Sequence, residues 1–467
     1  MPRRSCGPTD AWSLDLRAIG RHGRVMDVRH RSCSRPLRAL VGVTALGLVA
    51  ATTLSTHAMA QTPRPSAVAV GAQRLGLRLL GRSPLVAKGN PLLSPASIEL
   101  ALAMAHQGAK GRTASELGAV LGVSDLPAEA AQIAAELAPL SASRFTDAAG
   151  NPAKPTVQVV NGAFVQKDMT VEAAYRAALT SFGAQFQDLD FRADPAAARQ
   201  TMNAYVSEHT DQAIKELLPP GSIDRLTRLV LINAVHLFDR WSTPFDASLT
   251  KKRAFTTAAG KKVMADTMEQ IESRQRYGAY AGWKALELRL QQSPARMVLL
   301  LPPKGTKALP SAATLERLLT SLGASPVPIN IRLPKWENHA ARSLRADLSA
   351  LGVHEAMTLK ADFSGIHRPT DCRDNLYLQD VIHEARLEVD EKGTEASAAT
   401  AVILAVPASA EVVFTPPPKP KQFFADHPFF AMVLTDSGLP LFQAVVNDPT
   451  LPPDEAPAEA DPVILAC

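Results

Sequence analysis

The chain has 467 residues, of which 46% are hydrophobic and 20% charged, and a formal net charge of +5. That charge does not describe a nucleic-acid binder. Residues 1–60 hold nine arginines and three aspartates, so about 41 basic side chains face about 42 acidic ones beyond Ala60, and no basic stripe is left to neutralise phosphates. No dense Lys/Arg run marks a polyanion site. There is no His-Glu-x-x-His, Gly-x-Ser-x-Gly, Cys-x-x-Cys or Gly-rich phosphate loop, which argues against an enzyme, a metal site or a cofactor. His354-Glu355 and His383-Glu384 are isolated pairs.

The amino-terminal part reads as an export signal. An Arg-rich flank precedes an apolar run from Ala39 to about Leu54, which leads to Ala58-Met59-Ala60. Basic flank, apolar core and an Ala-x-Ala ending predict cleavage after Ala60, and a conventional flank length points to Met26 as the start. The core of roughly 16 residues is short for a membrane span, and a retained anchor helix is the alternative. This leader predicts a secreted or periplasmic protein, with no membrane association after its removal, and suggests a bacterial one. Of the four cysteines, Cys6 and Cys33 fall in the leader. Cys372 and Cys467 remain and could pair in an oxidising compartment.

Helical patterns come first. Thr113-Ala-Ser-Glu116 has the form of a capping box. The spacing of Met202, Tyr205, Val206, His209 and Ala213 predicts a helix over Pro195–Leu218. Strand-like runs follow at Leu229–Phe238, Ala285–Leu290, Met297–Leu301 and Val327–Leu333, then at Ala385–Val389, Val412–Phe414, Phe429–Leu434 and Leu441–Val446. Helices cluster early and strands late without strict alternation, which predicts an α+β fold. The stretch from Pro452 to Cys467 is acidic and Pro-rich and reads as a disordered tail.

The segment from Glu391 to Val406 is the most informative. It opens on a charged, glycine-containing Glu391-Lys392-Gly393 and continues without proline as far as Val406. Thr394, Ala396, Ala398, Thr400, Val402 and Leu404 form an alternating set of small or apolar residues, while Glu395 and Ser397 open the other set. That is the period of a strand with one buried face. Pro407 and Pro416-Pro417-Pro418-Lys419-Pro420 then read as an exposed, stiff connector. A loop written as a strand suggests a conformational switch; an ordinary loop or a plain buried strand is the alternative.

The segment resembles the reactive-loop hinge of the serpin family, and further blocks follow in family order. Asn90-Pro-Leu-Leu-Ser-Pro-Ala-Ser-Ile98 is similar to the start of the serpin central helix, and Leu231-Ile-Asn-Ala-Val-His-Leu-Phe-Asp-Arg-Trp241 to its central strand. Leu333-Pro-Lys-Trp336, Ala361-Asp-Phe-Ser-Gly365, Phe424-Ala-Asp-His-Pro-Phe-Phe430 and Leu441-Phe442 match later landmarks. The chain departs from the family around Asp239-Arg240, where Lys-Gly is usual, and at Ala444, where Gly is common. The resemblance runs from about Gln73 to Pro449. It implies one domain over 61–449, with about nine helices around three β-sheets and an exposed reactive loop at about 391–411.

The resemblance also implies a mechanism, suicide inhibition of a serine, or by the same chemistry cysteine, endopeptidase. The protease acylates itself on the loop, and the severed loop threads into the main sheet. The hinge residues Glu391, Gly393, Thr394, Glu395, Ala396, Ser397, Ala398 and Ala399 suit insertion. Gly393 can bend, the leading residues are small, and every residue up to Val406 can donate a ladder hydrogen bond. Roughly a dozen such bonds at about 1 kcal/mol net each, with Val402 and Leu404 buried, are large against ordinary domain stability. By motif match, Ser94, Ser97, Asn233 and His383 form the polar cluster that governs sheet opening, with His383 within reach of Asn233, and Trp241 lies near the top of the sheet. An isolated interior histidine is the alternative for His383.

Counting about fourteen residues on from Gly393 places the cut at Pro407-Ala408, within a window of Ala405, Val406, Pro407, Ala408 and Ser409, because the loop is about ten residues longer than the compact family form. No Lys or Arg occurs between Gly393 and Pro418, so elastase- or subtilisin-like pockets suit the loop better than trypsin-like ones. The implied partner is a target serine protease held as a covalent acyl-enzyme. The protein is expected to be a monomer with a risk of loop-sheet polymers. A non-inhibitory carrier or chaperone on the same fold is the alternative.

Overall fold

The structure is a computed structural model that describes residues 65–83, 86, 89–122, 126–142, 156–370, 374–393 and 419–452. The leader, the loop from Thr394 onward with its strand at Val412–Phe414, Cys372, Cys467 and the tail lie outside the described residues. Within them, eight α-helices and three sheets make the α+β architecture. The described residues fall in one compact unit spanning Met59–Cys467.

The helix α1 (Ala67–Arg82) starts at Ser66, whose hydroxyl accepts from the Ala69 amide, and buries Leu75, Leu79 and Leu80. After the two-residue strand β1 (Leu92–Leu93), the helix α2 (Pro95–Gly108) opens on Ser94 as N-cap with Pro95 at its first position, where a missing amide costs nothing. It is apolar nearly all round, the mark of a helix enclosed by other elements, and Ile98, Leu100, Leu102 and Met104 are fully buried. Next come α3 (Gly111–Leu121) and α4 (Leu126–Ala142).

The expected capping box does not cap its own helix. The chain enters α3 from Lys110, so Thr113 and Glu116 lie inside it. Glu116 instead accepts from the amides of His354 and Glu355 at 2.7 and 2.6 Å, and Thr113 accepts from Asp362. The motif covers orphan amides, but those of a distant turn.

The three-stranded sheet has the order β3 (Gln185–Leu189), β2 (Val157–Gln166), β4 (Leu229–Leu237). In sequence, α5 (Ala173–Ser181) lies between β2 and β3 and α6 (Pro195–His209) between β3 and β4. The α6 helix ends nine residues before the expected Leu218. Asp211 and Gln212 take φ of 52° and 66°, and Asn203 bonds both the amide and the carbonyl of Leu218, so 210–218 folds back on the helix. A satellite core of Val160, Phe164, Met202, Val206, Ile232 and Ala234 lies between α6 and one face of β2 and β4.

The largest sheet has nine strands. It contains β5 (Lys251–Thr256), the long β6 (Lys262–Tyr280), β7 (Trp283–Arg289), β8 (Ala295–Leu301), β9 (Val327–Pro334), β12 (Lys421–Phe424), β13 (Phe429–Thr435) and β14 (Pro440–Val446), with β1 at one edge. All pairs are antiparallel except β12 with β9. Every residue of β13 and β14 is buried, which explains why both are apolar apart from Thr435 and Gln443. The helix α7 (Ala312–Ser321) lies between β8 and β9 in sequence. The third sheet is the pair β10 (Trp336–Ser343) and β11 (Ile382–Val389), with α8 (Arg345–Ala350) between them in sequence.

The β6–β7 hairpin closes on Tyr280 and Trp283 with Ala281-Gly282 between them. Both central residues have positive φ, 49° and 81°. This two-residue turn suits Asn-Gly and strains alanine. Ala281 is exposed, so Ala281→Asn should stabilise the fold by about 0.5–1 kcal/mol, read as a higher urea midpoint at unchanged slope.

Candidate functional site

The strands β4 and β11 lie side by side, yet no ladder joins them among the described residues; they belong to separate sheets. Their relative direction follows from shared neighbours. At one level, Ser97 Oγ on α2 donates to the Asn233 carbonyl (3.4 Å) and the Ser94 amide donates to His383 Nε2 (3.0 Å). Further along both chains, Trp241 meets the residues that follow β11. The two strands therefore run the same way, with a slot between them.

The top of the slot is fastened. The Trp241 amide donates to the Lys392 carbonyl and its indole Nε1 to the Asp390 carbonyl, each at 2.8 Å. Asp390 Oδ1 accepts from the amides of Lys392 and Gly393, which reverses the chain, and Gly393 bridges Arg240 in antiparallel sense. A Cβ on Gly393 would strike the Asp239 carbonyl and come within 2.5 Å of Arg240 Cα, so backbone proximity requires glycine here. Glu391 accepts from Thr250 Oγ1 at 2.8 Å and pairs with Lys335 Nζ at 2.9 Å. Burial works against the Glu391 charge, but Lys335 and Thr250 outweigh it and hold the carboxyl below its ordinary value.

Halfway down, the predicted polar residues meet, though not as expected. Ser94 Oγ caps α2 by accepting from the Ser97 amide. His383 does not bond Asn233; its Nε2 accepts from Ser94, which puts the ring proton on Nδ1. Asn233 Nδ2 instead donates to Asn161 Oδ1 on β2. Asn161 Nδ2 in turn donates to the Phe182 carbonyl, and the Asn161 carbonyl accepts from Tyr205 Oη of α6. Asn161 thus ties the cluster to the covering helix. It escaped the sequence reading because β2 itself was not recognised. Asn233 Oδ1 is buried and has no protein partner among the described residues.

At the bottom the strands part around a cavity of about 110 Å³ lined by Leu102, Leu217, Leu229, Leu231, Leu376 and Ile382 among others. Of the predicted hinge, the structure places Glu391 and Gly393; Thr394, Glu395, Ala396, Ser397, Ala398, Ala399 and the window 405–409 lie outside the described residues. Among the described residues there is no His/Cys/Asp/Glu group suited to a metal ion, and no helix is long and apolar enough to cross a membrane.

His383 is 2% exposed. Burial, with the adjacent Arg342 adding to it, lowers its pKa to about 3. The ring is neutral in the folded protein and titrates near its ordinary value once unfolded, so the unfolded state takes up more protons between these limits. Its contribution is complete above the ordinary histidine pKa and is lost as pH falls toward 3. Acidification from pH 7 to 5 should cost roughly 2 kcal/mol through this ring, and His383→Gln should flatten that part of the stability–pH curve in chemical denaturation.

A family model described as Serpin (serine protease inhibitor) matches residues 71–449. Iripin-8 of Ixodes ricinus is 32% identical over 366 residues, which cover 77% of this chain and 88% of Iripin-8. The crystal structure of Serpin48 from the insect Tenebrio molitor superposes with a TM-score of 0.66 at 27% identity, covering 81% of this chain and 97% of that one. Human thyroxine-binding globulin, solved with its thyroxine, reaches 0.67 at 23% identity over 82% and 99% of the two chains, a likeness of fold alone. Relatives also come from rice and the archaeon Thermococcus kodakarensis, so the bacterial origin suggested by the leader finds no support in them. The unladdered strand pair, the fastened hinge and these matches together place the chain in the serpin family.

Proposed function

We propose that this protein is an inhibitory serpin that traps serine endopeptidases of elastase- or subtilisin-like specificity by inserting its cleaved loop between β4 and β11. At the level of the family, serpins are protease inhibitors and not enzymes. The observation that carries the finer reading is the Arg240–Gly393 bridge. Because β4 and β11 run the same way, a strand returning from Gly393 is antiparallel to both and can form ladders on both sides.

Continuing the register of that bridge sets Ala396 opposite Leu237, Thr400 opposite Asn233, Val402 opposite Leu231 and Leu404 opposite Leu229. Directly opposed residues share a face of a sheet. Val235 and Leu237 belong to the main core, with Leu229 and Leu231 packed against it, whereas Ile232 and Ala234 belong to the satellite core under α6. The small and apolar set of the loop thus enters the main core. Glu395 turns to the other face. Thr400 reaches the unpartnered Asn233 Oδ1, and Val402 and Leu404 arrive at the cavity. Removing residues 1–60 during export completes the reading: a secreted monomer with a domain over 61–449 and a tail at 450–467.

Incubation with a protease panel, read on denaturing gels and by mass spectrometry of the cut bond, should show covalent complexes with elastase or subtilisin; a trypsin complex would overturn the specificity. Loop cleavage should raise the melting temperature by at least about 10 °C, and a nicked protein that melts no higher than the intact one points to a carrier or chaperone. Leu404→Glu, which drives a charge into the cavity, should shift the outcome from stable complex to simple cleavage several-fold.

A further inference from the structure

We propose that a half-open cavity beside the Trp241 fastening binds a small multivalent oxyanion of the phosphate or sulfate class. The cavity, of about 260 Å³, is lined by Trp241, Ser242, Arg274, Arg276, Glu287 and Arg289 among others. Its organising group is Glu287, on β7 and only 2% exposed. Arg276, Arg289 and Arg296 surround that carboxylate at 3.6, 3.1 and 3.3 Å. Asp436 adds a second carboxylate, 3.1 Å from Arg289 and 3.6 Å from Arg296. Arg274 adds a fourth guanidinium, which donates to the Pro326 carbonyl at 3.2 Å.

Four cations therefore meet two anions at one end of the sheet. The buried Arg296 is held below its ordinary pKa chiefly by burial, with Glu287 and Asp436 opposing that and Arg289 and Arg276 adding smaller pushes in the same direction as burial. Among the described contacts Arg276 holds only its long pair with Glu287, so most of its donors are available to a guest. Guanidinium forks match phosphate and sulfate oxygens. The space is below the size of ordinary organic-ligand pockets, which favours a free ion over a chain. The four arginines come from three strands, β6, β7 and β8, so no basic run reveals them in the sequence.

The site also touches the trap. The Ser242 amide donates to the Arg289 carbonyl at 2.8 Å, directly after the residue that holds Lys392. An occupied cavity braces that fastening and slows sheet opening. This second step rests on the inhibitory reading; binding itself does not.

Calorimetry and thermal unfolding of the full chain with inorganic phosphate or sulfate, against chloride at equal ionic strength, test the site. A saturable rise in melting temperature of about 2–4 °C at a hundredfold excess over Kd is expected. It should vanish in Arg276→Gln and weaken in the exposed Arg274→Gln. An equal response to chloride, or one unchanged in both variants, overturns the site. Phosphate should also slow formation of the covalent protease complex in the unaltered protein but not in Arg276→Gln; equal rates overturn the bracing step. A protein that binds phosphate yet forms no complex with any protease sinks the inhibitory reading and leaves this site standing.

Discussion

Two neighbouring strands that share no hydrogen-bond ladder are the constraint on which the rest of this structure depends. Backbone donors and acceptors that face each other across a sheet normally pair. Here the hydrogen bonds described link β4 and β11 only indirectly, through Ser94 and Ser97 at the start of α2 and through a short turn above. The unladdered edges are held apart by residues from other elements: Ser94 and Ser97 of α2 in the middle, and Trp241 with the Asp390–Gly393 turn at the top. Each of these contacts is worth about 1 kcal/mol, small against what a full ladder on both sides would supply. On the proposed insertion, the native arrangement is held by placement more than by depth of energy.

This view gives the buried polar groups a common purpose. His383, Asn233 and Asn161 sit where an apolar core would be cheaper. Satisfied, they fix the spacing of the two half-sheets; Asn233 Oδ1, left without a protein partner, marks where the arrangement is incomplete. The satellite core under α6 plays a complementary part. It buries one face of β2 and β4 against α6, as a cluster separate from the main core.

Much of this was legible beforehand. Strand boundaries at 229, 327, 429 and 446 agree with the structure, because long runs of β-branched and aromatic residues leave little ambiguity. The cluster positions Ser94, Ser97, Asn233 and His383 do come together, although through different partners. What failed did so for identifiable reasons. Thr113 and Glu116 fit a local cap but serve a turn more than two hundred residues away. The 195–218 helix broke because Asp211 and Gln212 adopt a backbone that periodicity does not register. Asn161 was missed with β2, and the arginines around Glu287 are scattered over strands whose adjacency only the fold supplies.

The turn at Asp390–Gly393 has one more consequence. The chain has already reversed direction by Gly393, which runs antiparallel to Arg240. On the inhibitory reading proposed above, scission need not transmit a signal; it would only remove a tether. Where the protein is cut and what happens afterwards are then separate properties. On that reading, the residues around 405–409 would choose the target protease, while the stretch before them and the geometry of the slot would supply the recoil. A lineage could retarget such a weapon by rewriting its bait alone, leaving the spring untouched.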